Sequence, residues 1–240
     1  MCRKKIPKAD VVIEGDGEGG NQLTIAHRGI VDFEVTVHGT PAHAGRHTEG
    51  VNAFLKALKI VGELEKLRSK IEKKKTKYRA DRKISGVATM MIGGATAGGL
   101  KSNTVPDKFC FTIDRRVLPE ENIVKAREEI IKVIRSVEKK DGTFKVDIKY
   151  QDMFSGGVPK NAPICKLLGG ILKEFYGKKP KMLMTGYRLD SAIFSELLQV
   201  PVVAYGINGK NIHADDESTT MGSIIDTAAI FSELMTRNIS

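Results

Sequence analysis

Ile30-Val-Asp-Phe-Glu-Val-Thr-Val-His-Gly-Thr-Pro-Ala-His-Ala-Gly-Arg-His-Thr-Glu-Gly-Val-Asn-Ala53 passes from a strand pattern through a loop into a helix pattern. Its first part alternates: Val31, Phe33, Val35 and Val37 interleave with Asp32, Glu34 and Thr36, the period of a strand with one buried and one wet face. A helix pattern begins at its end. Between the two lies a loop with His38, His43 and His47 set among Gly39, Pro41 and Gly45, residues that bend the chain and let backbone approach a ligand. Three of the five histidines share this loop. For any single one the plain reading is a solvated turn; a function needs only one of them.

Downstream, Val51, Phe54, Leu58, Val61, Leu64, Leu67 and Ile71 form an apolar stripe at helical spacing. Gly86 to Ile92 reads as a second strand. A third places Phe109, Phe111 and Ile113 on one face and Cys110, Thr112, Asp114 and Arg116 on the other. Pro119-Glu-Glu121 suits the first turn of a helix with Ile123, Ala126, Ile130, Val133, Ile134 and Val137 buried. A fourth strand runs from Phe144 to Tyr150. The order β-α-β-β-α-β predicts a ferredoxin-like domain over residues 29–151.

The flanking segments 1–28 and 152–240 read as pieces of one α/β layer that this domain interrupts. Ala9-Asp-Val-Val-Ile-Glu-Gly-Asp16 is a short apolar strand with Asp16 at its carboxyl end among glycines. Ile164, Leu167, Leu168, Ile171, Leu172 and Phe175 mark a helix, Lys181 to Met184 a strand, and Asp190 to Leu197 another helix. Pro201-Val-Val-Ala-Tyr205 is a continuous apolar strand of the parallel, doubly covered sort. A last helix carries Met221, Ile224, Ile225, Ala228, Phe231 and Leu234.

Composition narrows the class. Cys2, Cys110 and Cys165 are odd in number and lack CxxC spacing, so neither a disulfide framework nor a cysteine zinc site is indicated, and a cytoplasmic protein is expected. No run approaches the roughly 18 apolar residues of a membrane helix, and Met1-Cys-Arg-Lys-Lys has charge without an apolar region behind it, so no membrane partner is expected. The net charge of +10 is local: from Lys56 to Lys83 twelve Lys or Arg face Glu63, Glu65, Glu72 and Asp81. They read as the wet face of the amphipathic helix and its exit, and with no interleaved aromatics no nucleic-acid partner is expected.

Asp16 and His213 stand on loops at the carboxyl ends of two strands of the same layer, where open α/β sheets keep their sites. A carboxylate and an imidazole are both zinc ligands, and a catalytic site uses three protein ligands per metal with a position left for water. Taken alone, a distant Asp and His are a weak signal. Asp215, Asp216 and Glu217 read more simply as caps of the last helix.

Several motifs taken together carry more. Ala9-Asp-Val-Val-Ile-Glu-Gly-Asp16, Ala26-His-Arg-Gly29, Gly39-Thr-Pro-Ala-His-Ala-Gly45 with Gly50-Val-Asn-Ala53, Ser102-Asn-Thr-Val-Pro-Asp107, Ile113-Asp-Arg-Arg116 and Asn211-Ile-His-Ala-Asp-Asp-Glu217 span nearly the whole chain. In these it resembles the co-catalytic zinc amidohydrolases that include acetylornithine deacetylase, succinyl-diaminopimelate desuccinylase, aminoacylase and the glutamate carboxypeptidases. The resemblance implies a partial zinc-peptidase-like catalytic layer with the ferredoxin-like domain as lid and dimerisation domain. It assigns Asp16 to the terminal carboxylate ligand of one zinc, with Glu14 as runner-up, and His213 to the histidine ligand of the other. A complete site of this kind holds two zinc ions, or cobalt or manganese in their place. His43 falls on the lid histidine that reaches a partner subunit's site and helps hold the oxyanion, a role in which one donor is worth roughly 100 to 1,000-fold in rate. Asn103 and Arg116 match substrate-binding positions, the latter because a guanidinium fork takes a carboxylate bidentately. By its residues alone, Arg116 reads as a strand-end arginine paired with Asp114.

Departures from the family pattern are equally specific. The family's upstream His-x-Asp motif, bridging Asp and Glu-Glu pair have no counterpart ahead of the strand that ends at Asp16, and Thr185-Gly-Tyr-Arg-Leu-Asp190 replaces a glycine-rich turn. The expectation is therefore the C-terminal portion of a homodimeric, metal-dependent hydrolase of N-acyl amino acids or short peptides. Metal-activated water would be its nucleophile, and the chain by itself would be inactive. The alternative is a non-catalytic ferredoxin-like binding or dimerisation module on a vestigial α/β base.

Overall fold

The computed structural model describes residues 8–81, 84–186, 189–212 and 214–237, with Ser191 described by its backbone alone. In chain order the strands and helices are β1 (Val12–Glu14), β2 (Gln22–His27), β3 (Gly29–His38), α1 (Ala53–Ile71), β4 (Thr89–Gly98), β5 (Lys108–Val117), α2 (Ile123–Asp141) and β6 (Lys145–Met153). Then follow β7 (Gly156–Gly157), α3 (Pro163–Tyr176), β8 (Lys181–Thr185), α4 (Ser191–Leu198), β9 (Val202–Ala204), β10 (Gly209–Lys210), β11 (Ser218–Thr219) and α5 (Met221–Thr236). They form two compact units, one of Met1–Arg28, Lys77–Gly86 and Phe154–Ser240, the other of Gly29–Thr76 and Val87–Met153. Residues 77–86, inside the span expected for the inserted domain, pack with the flanking segments: Ala80 bridges Met184 and Asp81 N donates to Met184 O at 3.1 Å. No helix among the described residues is long and apolar enough to cross a membrane.

The inserted unit is ferredoxin-like. Its four strands lie in the order β4-β5-β3-β6, with every adjacent pair antiparallel. Val31, Phe33, Val35 and Val37 are buried as their alternation requires, beside Phe111 and Ile113 of β5 and the inward faces of α1 and α2. Two details differ from expectation. The stripe of α1 that is buried is Ala53, Ala57, Ile60, Leu64 and Ile71, whereas Phe54, Leu55 and Leu58 face outward, because the first turns of the helix are apolar on two sides. And α2 begins at Ile123 behind an Asn122 cap whose Oδ1 accepts from Lys125 N at 2.9 Å. Glu121, expected in that first turn, instead holds the fully buried Arg115 at 2.8 and 3.0 Å, accepts from Leu118 N at 3.0 Å, and takes Lys74 at 2.9 Å. These partners keep its carboxyl below the usual range against the opposing effect of burial.

The flanking unit is a small mixed sheet. β1 pairs in parallel with β9, β9 meets β2, and β2 pairs in parallel with β8 and antiparallel with β7. Leu23, Ile25, Val203 and Tyr205 meet Ile164, Leu168, Ile171 and Leu172 of α3 and Ile230 and Leu234 of α5 in the core. Strand β2 was not legible as one. Its run of Leu, Thr, Ile, Ala and His has no alternation, and only Arg28 separates it from β3.

Candidate functional site

One candidate surface lies at the end of the ferredoxin-like sheet where β3 stops. Gly39 N donates to Asp107 O at 2.7 Å, and Thr40 and Val51 exchange backbone bonds of 2.9 and 2.8 Å, so the chain doubles back tightly. A Cβ on Gly39 would sit 2.0 Å from Val51 O, which only glycine avoids. The loop then pairs with the β4–β5 connection: His43 bridges Thr104, Ala44 N donates to Asn103 O at 2.8 Å, and Val105 N donates to Ala42 O at 2.8 Å. His43 and Asn103, far apart in sequence, are thus neighbours on one exposed edge.

His43 caps the short 3-10 turn Ala44–Glu49, its Nδ1 accepting from Gly45 N at 3.1 Å. A ring nitrogen that accepts carries no proton, so in this arrangement Nε2 is the ring's donor. The other two loop histidines are placed otherwise. His38 Nε2 pairs with Asp147 Oδ2 at 2.8 Å, and His47 lies in the 3-10 turn, its carbonyl accepting from Gly50 N.

Arg116 stands at the opposite end of the same sheet. Register pairs His38 with Lys108 at one end and Ile30 with Arg116 at the other, eight residues or about 26 Å along the strands. Its Nε and Nη2 fork onto Asp114 at 2.7 Å each, the pairing that its residues alone suggested. Asp32 lies directly across from Asp114. Burial and the Asp114 charge push its carboxyl up, and Arg116 counters them.

In the flanking unit, parallel pairing of β1 with β9 puts the loops after Glu14 and Ala204 side by side. They interlock through glycine: a Cβ on Gly206 would meet Gly15 O at 2.2 Å, and one on Gly17 would meet Ala204 C at 2.6 Å. Asp16 is exposed on this loop. Glu14 is buried, one oxygen accepting from Asp190 N at 2.9 Å, so it serves the start of α4 rather than open space. His213 lies outside the described residues, as do Tyr187 and Arg188 of the unusual turn and Cys2. The flanks of His213 are ordered by the β10–β11 pairing and by Asn211, whose Nδ2 donates to Asp216 Oδ2 at 2.7 Å. The expected acidic caps of α5 do not act as such; Thr220 Oγ1 accepts from Ser223 N at 3.2 Å in their place. Asp16 fits one carboxylate ligand and no more. Among the described residues no three His, Cys, Asp or Glu gather as a metal site.

His27 belongs to the Ala26-His-Arg-Gly29 motif, to which the resemblance assigns no role. It is buried in β2, its Nδ1 3.4 Å from Arg28 O, beside a hollow of about 320 Å³ that Gly156, Ser195 and Pro201 also line. Burial lowers its pKa. The only signal was a histidine between apolar strand residues.

Residues 25–142 match the peptidase dimerisation domain of the M20 peptidases. That segment is an M20 dimerisation domain. Over 97% of its length the chain is 21% identical to a succinyl-diaminopimelate desuccinylase of Pelagibacter ubique, of which it spans 59%. Among solved structures, the aminopeptidase PepT of Bacillus cereus superposes on 94% of the chain with a TM-score of 0.75 at 19% identity, over 56% of its own length. An M20 family metallo-carboxypeptidase of Sulfolobus solfataricus does so on 95% with a TM-score of 0.69 at 17% identity, over 63% of its length. The chain therefore resembles the C-terminal part of M20 enzymes, with the fold of the dimerisation domain and its surroundings, and spans less than two thirds of these relatives.

Proposed function

We propose that the chain is the C-terminal portion of a metal-dependent amidohydrolase of the deacylase, desuccinylase or carboxypeptidase type, cleaving the amide bond of an N-acyl amino acid or short peptide. The observation that carries this reading is the bond from Gly45 N to His43 Nδ1, which leaves Nε2 as the ring's donor on an exposed loop whose Ala44 N is bonded to Asn103 O. A preset donor on a hydrogen-bonded loop suits an oxyanion that forms only in the transition state. Arg116 is the carboxylate-binding residue, held by Asp114 until substrate shares its fork. Asp16 and His213 are one ligand each of a two-zinc centre, whose remaining ligands and general base come from outside this chain. When bound, such a pair supplies an activated water.

A homodimer follows from the same geometry. An N-acyl amino acid cannot span the roughly 26 Å from Arg116 to the His43 end of one sheet, so the two ends serve different active sites. Leu55 and Leu58, exposed on the first turns of α1, give the dimerisation domain its apolar contact. Free Cys110 and Cys165 accord with a reducing cytoplasm.

In a complete enzyme that carries the remaining metal ligands, His43→Ala should lower kcat and kcat/KM together by about 100-fold or more. His38→Ala and His47→Ala should cost far less. Near-normal kcat in His43→Ala would remove it from the mechanism. The alternative is a non-catalytic ferredoxin-like binding or dimerisation module. Hydrolysis by the complete enzyme, abolished by chelator, would dismiss it.

A further inference from the structure

Against the His43–Thr104 bridge lies a hollow of about 510 Å³, within the range of small-molecule sites. It shares Ala44 and Thr104 with the two paired loops, so it adjoins the edge on which His43 and Asn103 stand. Its apolar walls include Phe54, Val105, Pro106 and Phe109, the two rings meeting edge to face at 5.2 Å between centroids.

Glycine keeps the hollow open. Gly98 and Gly99 form one side with φ of 154° and 75°, and a Cβ on Gly98 would press on the Phe109 ring at 2.7 Å. The polar groups at the hollow are hydroxyls and amides together with His47, and among the described residues no Lys, Arg, Asp or Glu lines it. An aromatic or branched apolar group gains there by leaving water, while a carboxylate would lose hydration with no Lys or Arg among the described residues to replace it.

Resting on the substrate-edge reading of His43 and Asn103, we propose that this hollow is a specificity subsite for an uncharged apolar group of the substrate, a side chain or acyl chain. The substrate class is thereby narrowed to N-acyl amino acids or peptides with an apolar group at this position. A second carboxylate, such as that of a succinyl group, is disfavoured. Asn52 does not compete for the ligand, since its Oδ1 caps α1 by accepting from Leu55 N at 3.1 Å.

The test needs no turnover, so its outcome is independent of whether the completed enzyme hydrolyses anything. The chain is titrated by NMR with N-benzoylglycine and with N-succinylglycine, alongside Ala44→Trp, an exposed position whose enlarged side chain fills the hollow, with circular dichroism confirming its fold. Saturable binding of the benzoyl probe is expected, with affinity at least about tenfold lower for the succinyl probe and for Ala44→Trp, as loss of a buried ring predicts. Equal binding of both probes, no binding of either, or benzoyl binding unchanged in Ala44→Trp would each overturn the proposal. So would Ala44→Trp changing only the sedimentation of the chain, because the hollow would then be covered by a second copy.

Discussion

The dimerisation domain and the flanking unit are built from comparable numbers of residues but finish differently. In the first, four strands alternate cleanly and two long helices close one face, leaving an outward apolar patch at the start of α1. In the second, α4 buries Ala192 while Ile193, Phe194 and Leu197 lie exposed, and Met221, Ile224 and Ile225 are exposed at the start of α5. Its strand β1 is three residues long and has one partner among the described strands. A domain drawn from nearly one stretch of sequence can complete its own core, whereas one assembled from three separated segments here retains bare apolar surface. The first shows a bare apolar patch at the start of one helix, and the second shows such surface on two helices.

The largest effect that could break this contrast sits in the dimerisation domain. Glu121→Ala should cost it about 3–5 kcal/mol, because Arg115 would be left fully buried without its carboxylate. Urea unfolding of the polypeptide spanning 29–153 reads this directly. A loss below about 1 kcal/mol would show that the Arg115–Glu121 pair does not anchor β5 to α2.

A smaller effect separates the units by pH. His27 has a folded pKa lowered by burial, so its contribution to the flanking unit is complete above the unfolded value of about 6.5 and is lost as pH falls below it. In the dimerisation domain Asp141 is held far below the usual range by Lys56 and Lys59 of α1 and by Thr143. Its contribution is complete above the unfolded value of about 3.9 and is lost only as pH falls from there toward its depressed folded value. Thermal melts of the full chain between pH 7 and 4 should therefore weaken the flanking unit first, and His27→Phe should flatten that slope. Equal acid sensitivity of the two units would refute the assignment.

What the sequence made legible follows the same division. Alternation in Val31 to Val37 and the helical stripe of α2 were sufficient for the ferredoxin-like order, since each element there buries one face only. The flanking unit resisted because β2 is buried almost throughout and gives no period, and because residues 77–86, which read as the exit of α1, join that unit instead. Strand β4 ran further than its apolar residues indicated, through Gly93 and Gly94 with a break in register between Ile92 and Thr96. At the site, the family resemblance marked His43, but its pairing with Asn103 and the distance to Arg116 required the sheet register. That Asp16 is exposed while Glu14 is buried is a difference spacing does not encode.

The proposed function has the two ends of one dimerisation domain act in two different active sites. In a complete enzyme that carries the remaining metal ligands, His43→Ala and Arg116→Ala are purified separately, each expected to lose most of its activity, then mixed and allowed to exchange subunits. Random exchange should restore about a quarter of wild-type activity, since half the dimers are mixed and one of the two sites in each retains both residues. Activity remaining at the level of the parents after demonstrated exchange would contradict the account.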